Sequence, residues 1–155
     1  MKPADLSRMY RINHGALHQN VEGLSHEDSL ARPETGNCLN WVMAHIVSSR
    51  NSIHKAMGID PIWPEDVAKR YGRGSAPVMS ASEARPFHEI VRDLDRSQER
   101  ILARFGEMSE ADLEQPGMMR MNVGETLSFL QFHEAYHIGQ TGLLRRIAGK
   151  EGAIR

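Results

Sequence analysis

Four long stretches of this sequence repeat apolar residues at helical spacing, and a glycine follows each: Gly23, Gly58, Gly106 and Gly149. Apolar residues three and four apart fall on one face of a helix. Glycine accepts the left-handed backbone that commonly closes one. The pattern predicts four helices, over about 5–22, 38–57, 83–105 and 123–148. The first carries Leu6, Tyr10, Leu17 and Val21, and the second Leu39, Val42, Ile46 and Ile53. The third carries Phe87, Ile90, Leu94 and Ile101, and the fourth Leu127, Leu130, His137, Thr141 and Leu144. Asn122 with Glu125, and Ser80 with Glu83, have the spacing of capping boxes at the starts of the last two. No stretch alternates apolar and polar residues for long enough to predict a strand.

These segments define an all-α fold, a four-helix bundle in a single domain over 1–155. The stretch 59–81, with Pro61, Pro64, Gly72, Gly74 and Pro77, reads as a long irregular crossover. A helix of ~20 residues is ~30 Å long, and an extended connection of this length can run back along all of it. The second and third helices can then be parallel, which predicts up-down-down-up order and makes the second and fourth antiparallel.

Composition excludes several function classes. With 19 basic and 20 acidic residues the chain has no long-range field for nucleic acid or an anionic membrane, so neither is expected as a partner. The lone cysteine, Cys38, fits a reducing compartment and reads as a small buried residue. No apolar run of leader or membrane-spanning length occurs, so a cytoplasmic location is expected.

The eight histidines are not equivalent. His133 and His137, four apart, project from one face of the fourth helix, on the stripe predicted to point inward. Buried imidazoles need partners, and either hydrogen bonds or a metal ion can supply them. A third candidate lies inside the second helix. His45 is 12 residues from Met57, and the midpoint of the pair is 11 or 12 from Val123. If the two helices are antiparallel, the mismatch in height is about 2 Å at most. His45, His133 and His137 can therefore meet at one divalent metal. Three histidines plus solvent is the pattern of an open site, whereas structural zinc sites are closed by four protein ligands. His14 and His18 are also four apart, but they share a line with Ser7 and Arg11, and a solvated face is expected of them. His26, His54 and His88 have polar neighbours and are expected at the surface.

His133-Glu134-Ala135-Tyr136-His137 also matches HExxH, in which the glutamate is the general base of a zinc peptidase. The extended form of that motif fails, because Gln140 stands where its glycine belongs and no histidine follows. A hydrolase is the weaker alternative.

Asn40-Trp41-Val42-Met43-Ala44-His45-Ile46 and Phe132-His133-Glu134-Ala135-Tyr136-His137-Ile138-Gly139-Gln140 resemble stretches of the DinB-like superfamily of four-helix bundles. The loop Leu24–Glu27 and the tail Leu143–Lys150 extend the resemblance over nearly the whole chain. The family takes its name from DNA-damage-inducible proteins and is unrelated to the polymerase that shares it. The resemblance implies a metal triad at His45, His133 and His137, zinc or nickel as the ion, and a homodimer, to which the nine methionines would lend apolar surface. It also implies kinship with enzymes that use low-molecular-weight thiols on small-molecule substrates, such as bacillithiol or mycothiol transferases and maleylpyruvate isomerases. In that setting Glu134 and Gln140 are candidates for orienting ligands or solvent, and Arg145 and Arg146 for binding the carboxylates of a peptide-like thiol. The plainer readings are an exposed ion-pair partner for Glu134 and solvated helix-end charges for the arginines. A non-catalytic, metal-dependent binding or stress-response module is the alternative to a thiol transferase.

Overall fold

The computed structural model describes residues 2–154 and is all-helical. Four long helices, α1 (Pro3–Val21), α3 (Leu39–Ala56), α5 (Phe87–Glu107) and α7 (Val123–Ile147), are joined through three short ones, α2 (His26–Leu30), α4 (Glu65–Arg70) and α6 (Glu110–Leu113). Helix α1 packs on α5 and α7, and α3 packs on the same two. Among the described residues no strand forms, and no helix is long and apolar enough to cross a membrane.

The ends follow the sequence signals with two exceptions. Gly23, Gly58 and Gly149 take φ of 71°, 70° and 78° just past α1, α3 and α7. Gly106 instead lies inside the last turn of α5. At the start of α7, Asn122 Oδ1 accepts from the Glu125 N–H at 2.8 Å, and Glu125 Oε2 accepts from the Asn122 N–H at 2.9 Å. Ser80 and Glu83 do not open α5. Glu83 accepts from the Met79 N–H at 2.9 Å and closes a turn, while the helix begins at Phe87 behind Pro86. A residue before proline is pushed out of the helical region, so Arg85 ends any helix attempted upstream.

The face each helix buries sets the interior. All nine residues from Leu39 to Val47 are buried, so the first half of α3 is covered on every side. The crossover supplies part of that cover, tucking Trp63, Tyr71 and Val78 into the core. Two apolar clusters result, one around Leu17, Met43, Leu94 and Ile138, the other around Leu6, Ile53, Ile101 and Leu127. Polar side chains stand between them in the sequence of each long helix: Asn13, Arg50, Ser97, Gln98 and Glu134, all buried. Arg50 is wholly buried and grips Glu134 through Nε at 2.8 Å and Nη2 at 3.0 Å, while its Nη1 donates to the Leu94 carbonyl at 3.0 Å.

Cross-helix bonds record the register. Tyr10 bonds to Leu127, Asn13 to Gln131 and Asn20 to Ile138, so the numbers on α1 and α7 rise together. On α3 and α5 the bonded pairs Arg50–Leu94, His54–Ser97 and Met57–Arg104 also rise together.

Candidate metal centre

Helices α3 and α7 bring His45, His133 and His137 to one point. One ring nitrogen from each lies within 4.8 Å of the others. The His133 and His137 Nε2 atoms stand 3.2 Å apart, and the His45 ring is 4.5 Å from His137 and 5.4 Å from His133, centre to centre. Tetrahedral nitrogens at ~2.0–2.1 Å from zinc are ~3.3 Å from each other, so the pair already has ligand spacing.

The second nitrogens of two rings are committed elsewhere. His45 Nδ1–H donates to the Tyr71 carbonyl at 2.6 Å, and His137 Nδ1–H donates to Gln140 Oε1 at 2.7 Å. Each bond fixes the tautomer that leaves Nε2 with its lone pair, the outer arrangement usual for metal-ligating histidines. Trp41, one turn before His45, stacks on its ring at 5.0 Å and 8° and holds its plane. These residues fit a divalent cation of the zinc class by donor chemistry and by orientation.

Burial keeps the rings neutral. It lowers His137 to about 4, helped by the nearby His45 and His133 and opposed by the Gln140 bond. It lowers His45 against the Tyr71 bond, and it lowers His133 together with His45. On the opposite side of the molecule burial also lowers His14 to about 4. Between the ordinary histidine value of ~6.5 and about 4 the unfolded chain binds protons that the folded chain refuses, so stability rises with pH through this window. It is complete above 6.5 and is lost as pH falls toward 4. Urea denaturation of metal-free protein at pH 7.0 and 4.5 is expected to show the loss, and His14→Gln and His137→Gln should each make it smaller. An unchanged pH dependence in both variants would count against neutral burial.

The triad lines a cavity of about 1000 Å³ with Trp41, Phe129, Tyr136, Leu143 and Ile147 on its apolar side. Gln140 and Arg73 also line it, and Arg73 is the only lysine or arginine that does so among the described residues. Sequence reasoning missed Arg73 and the Tyr71 carbonyl, which lie in the crossover without any motif. The spacing of Trp41 and His45, four apart on one helix, could have revealed the stacking.

Other candidates lie elsewhere. Glu134 is not in the cavity; its carboxylate points into the core, where Arg50 holds both oxygens. The inward stripe of α7 is Leu127, Glu134, Ile138 and Thr141, and the histidines sit on its half-buried flank. HExxH therefore offers no free general base. Arg145 is spent on the carbonyls of Asn20, Glu22 and Glu151, tying the end of α1 to the tail, and Arg146 is exposed beside Gly152. His54 is buried rather than exposed: Nδ1–H donates to the Asp60 carbonyl at 2.7 Å, and Nε2 accepts from Ser97 Oγ at 2.9 Å. His26 and His88 are exposed, and Cys38 is buried and free.

No curated protein matches this sequence. A family model does: that of the DinB superfamily matches residues 9–141, a span that contains His45, His133 and His137. The chain belongs to the DinB superfamily.

Proposed function

We propose that this protein is a metal-dependent enzyme that activates a low-molecular-weight thiol for transfer to a small-molecule acceptor, with His45, His133 and His137 holding one zinc or nickel ion. The observation that carries the reading is the triad itself, three convergent imidazoles, two of them with their tautomer fixed, on the wall of a large cavity. When bound, the ion supplies a Lewis acid that lowers the pKa of a thiol at its open position. The chain's own residues do the rest. Gln140 and the Tyr71 carbonyl orient the ligands. Phe129, Tyr136 and Leu143 offer apolar surface to the acceptor. Arg73, which lines the cavity, takes the carboxylate of a peptide-like thiol in place of Arg145 and Arg146, which do not line it. A reducing cytoplasm suits both such a thiol and a buried free Cys38.

The framework of this reading is an up-down-down-up bundle. Rising pairs along α1 and α7 and along α3 and α5 support parallel neighbours. Tyr10 against Phe105 and His18 against Asp95 support antiparallel α1 and α5. Arg50 on Glu134 and His45 on His137 support the same for α3 and α7.

Thiol-transfer assays of zinc- and nickel-loaded protein, with a panel of anionic thiols and small electrophiles, test the proposal. Turnover that depends on the loaded metal is expected, and Arg73→Ala should raise KM for the anionic thiol about tenfold with kcat little changed, the loss of one charged hydrogen bond. Thiol binding without turnover would favour the non-catalytic module.

The same reading includes a homodimer. Phe132, Tyr136 and Leu143 are each more than 60% exposed along one line of α7, with Phe129 and Ile147 continuing it. An apolar stripe of that length is what a second copy would cover. Sedimentation at micromolar concentration should give twice the 17.5 kDa of the monomer, and Phe132→Glu should shift it to the monomer. A wild-type protein sedimenting only at 17.5 kDa would remove the dimer.

A further inference from the structure

Helices α1 and α5 share no residue with the first site, yet they carry a second convergence of ligating atoms. His14 and His18, one turn apart on α1, both bring Nε2 close to Oδ1 of Asp95 on α5, at 3.2 and 2.6 Å, the second as a hydrogen bond. Their rings lie 4.5 Å apart at 65°, close to the 4.6 Å and 72° of His133 and His137. In each case a pair four apart on one helix meets a third donor from the facing helix.

Three further observations separate this cluster from an ordinary hydrogen-bonded surface group. Asp95 faces no lysine or arginine among the described residues, although Asp93, two positions earlier, draws Arg85, Arg92 and Arg96. Its partners within ion-pairing distance are the two imidazoles. His14 Nδ1 is buried and without a partner, so the protein leaves half of this ring's hydrogen-bonding capacity unmet. The structural histidine of this fold, His54, has both nitrogens satisfied by protein. Finally, the His18 and Asp95 side chains are 41% and 43% exposed, which leaves a way in and room for solvent ligands.

We propose that His14, His18 and Asp95 form a second site for a divalent transition-metal ion. Two imidazole nitrogens and one carboxylate oxygen are the donor set of open zinc and ferrous sites. The carboxylate offsets part of the cation's charge, and the ion would cross-link α1 to α5. The proposal does not depend on the function assigned to the first triad.

Metal-free full-length protein titrated with Zn²⁺ by calorimetry, and with Co²⁺ by visible absorption, tests it. Two equivalents per chain are expected for the wild type. His18→Ala and Asp95→Asn should each lose one equivalent and keep the other, while His45→Ala should lose the other and keep this one. The variants at position 18 and 95 alter half-exposed side chains, and unchanged far-ultraviolet circular dichroism will verify that they fold. If His18→Ala and Asp95→Asn both retain the full wild-type stoichiometry, the site is overturned, whatever that stoichiometry is. If His45→Ala loses nothing while His18→Ala loses one equivalent, the first triad fails and this site stands.

Discussion

Glu134→Ala is expected to destabilise the protein by about 3–5 kcal/mol and to lower Tm by roughly 10 °C. Arg50 has no exposed surface and spends Nε and Nη2 on Glu134, with one remaining bond to the Leu94 carbonyl. Removing the carboxylate strands a guanidinium in the middle of the bundle, where the desolvation of a lone charge is not offset. The cost therefore belongs to breaking the pair rather than to the strength of the pair. The double change Arg50→Met with Glu134→Leu removes both charges at similar volume, and it should recover most of the loss. Urea denaturation of the single and double variants at pH 7 measures this. The outcome also decides between two roles for Glu134. A general base of a peptidase could be replaced at little cost to stability, so a loss below ~1 kcal/mol would revive the HExxH reading.

His137→Ala is expected to remove one equivalent of bound zinc per chain, and Gln140→Ala to weaken that equivalent about 10–100-fold without removing it. His137 stands nearest both other rings of the triad, and its Nδ1–H is held by Gln140 Oε1 at 2.7 Å. Taking away the ring leaves two nitrogens and lowers the donor count below that of open zinc sites. Taking away only the amide leaves the ligand present but free to turn. Competition with a chromophoric chelator at pH 7.5 separates the two effects. Zinc retained undiminished by His137→Ala would make the three histidines ordinary buried polar groups. Secondary structure should survive metal removal, since the two apolar clusters form without the ion, although binding to the folded state adds stability.

What the sequence determined by itself is whatever depends on neighbours three or four residues apart. The four long helices were legible because their apolar residues recur at that spacing, and three of the four glycine stops lie where backbone of positive φ is needed. The Asn122–Glu125 cap was legible for the same reason, as was the sharing of one face by His133 and His137. Counting residues along the second and fourth helices, taken as antiparallel, added His45, and the family resemblance agreed. The tertiary structure decided everything that depends on a partner far along the chain. Glu134 lies between two histidines in sequence, yet a guanidinium 84 residues away draws it into the core. His14 and His18 share their line with polar residues, yet Asp95 on another helix makes them a cluster. His54 looked like a surface residue until the crossover carbonyl and Ser97 enclosed it. The Tyr71 carbonyl that orients His45 is backbone, and no residue identity could announce it. Helical periodicity fixes which face a side chain occupies; whether a charged or polar group on that face is buried depends on what the opposing helix brings to satisfy it.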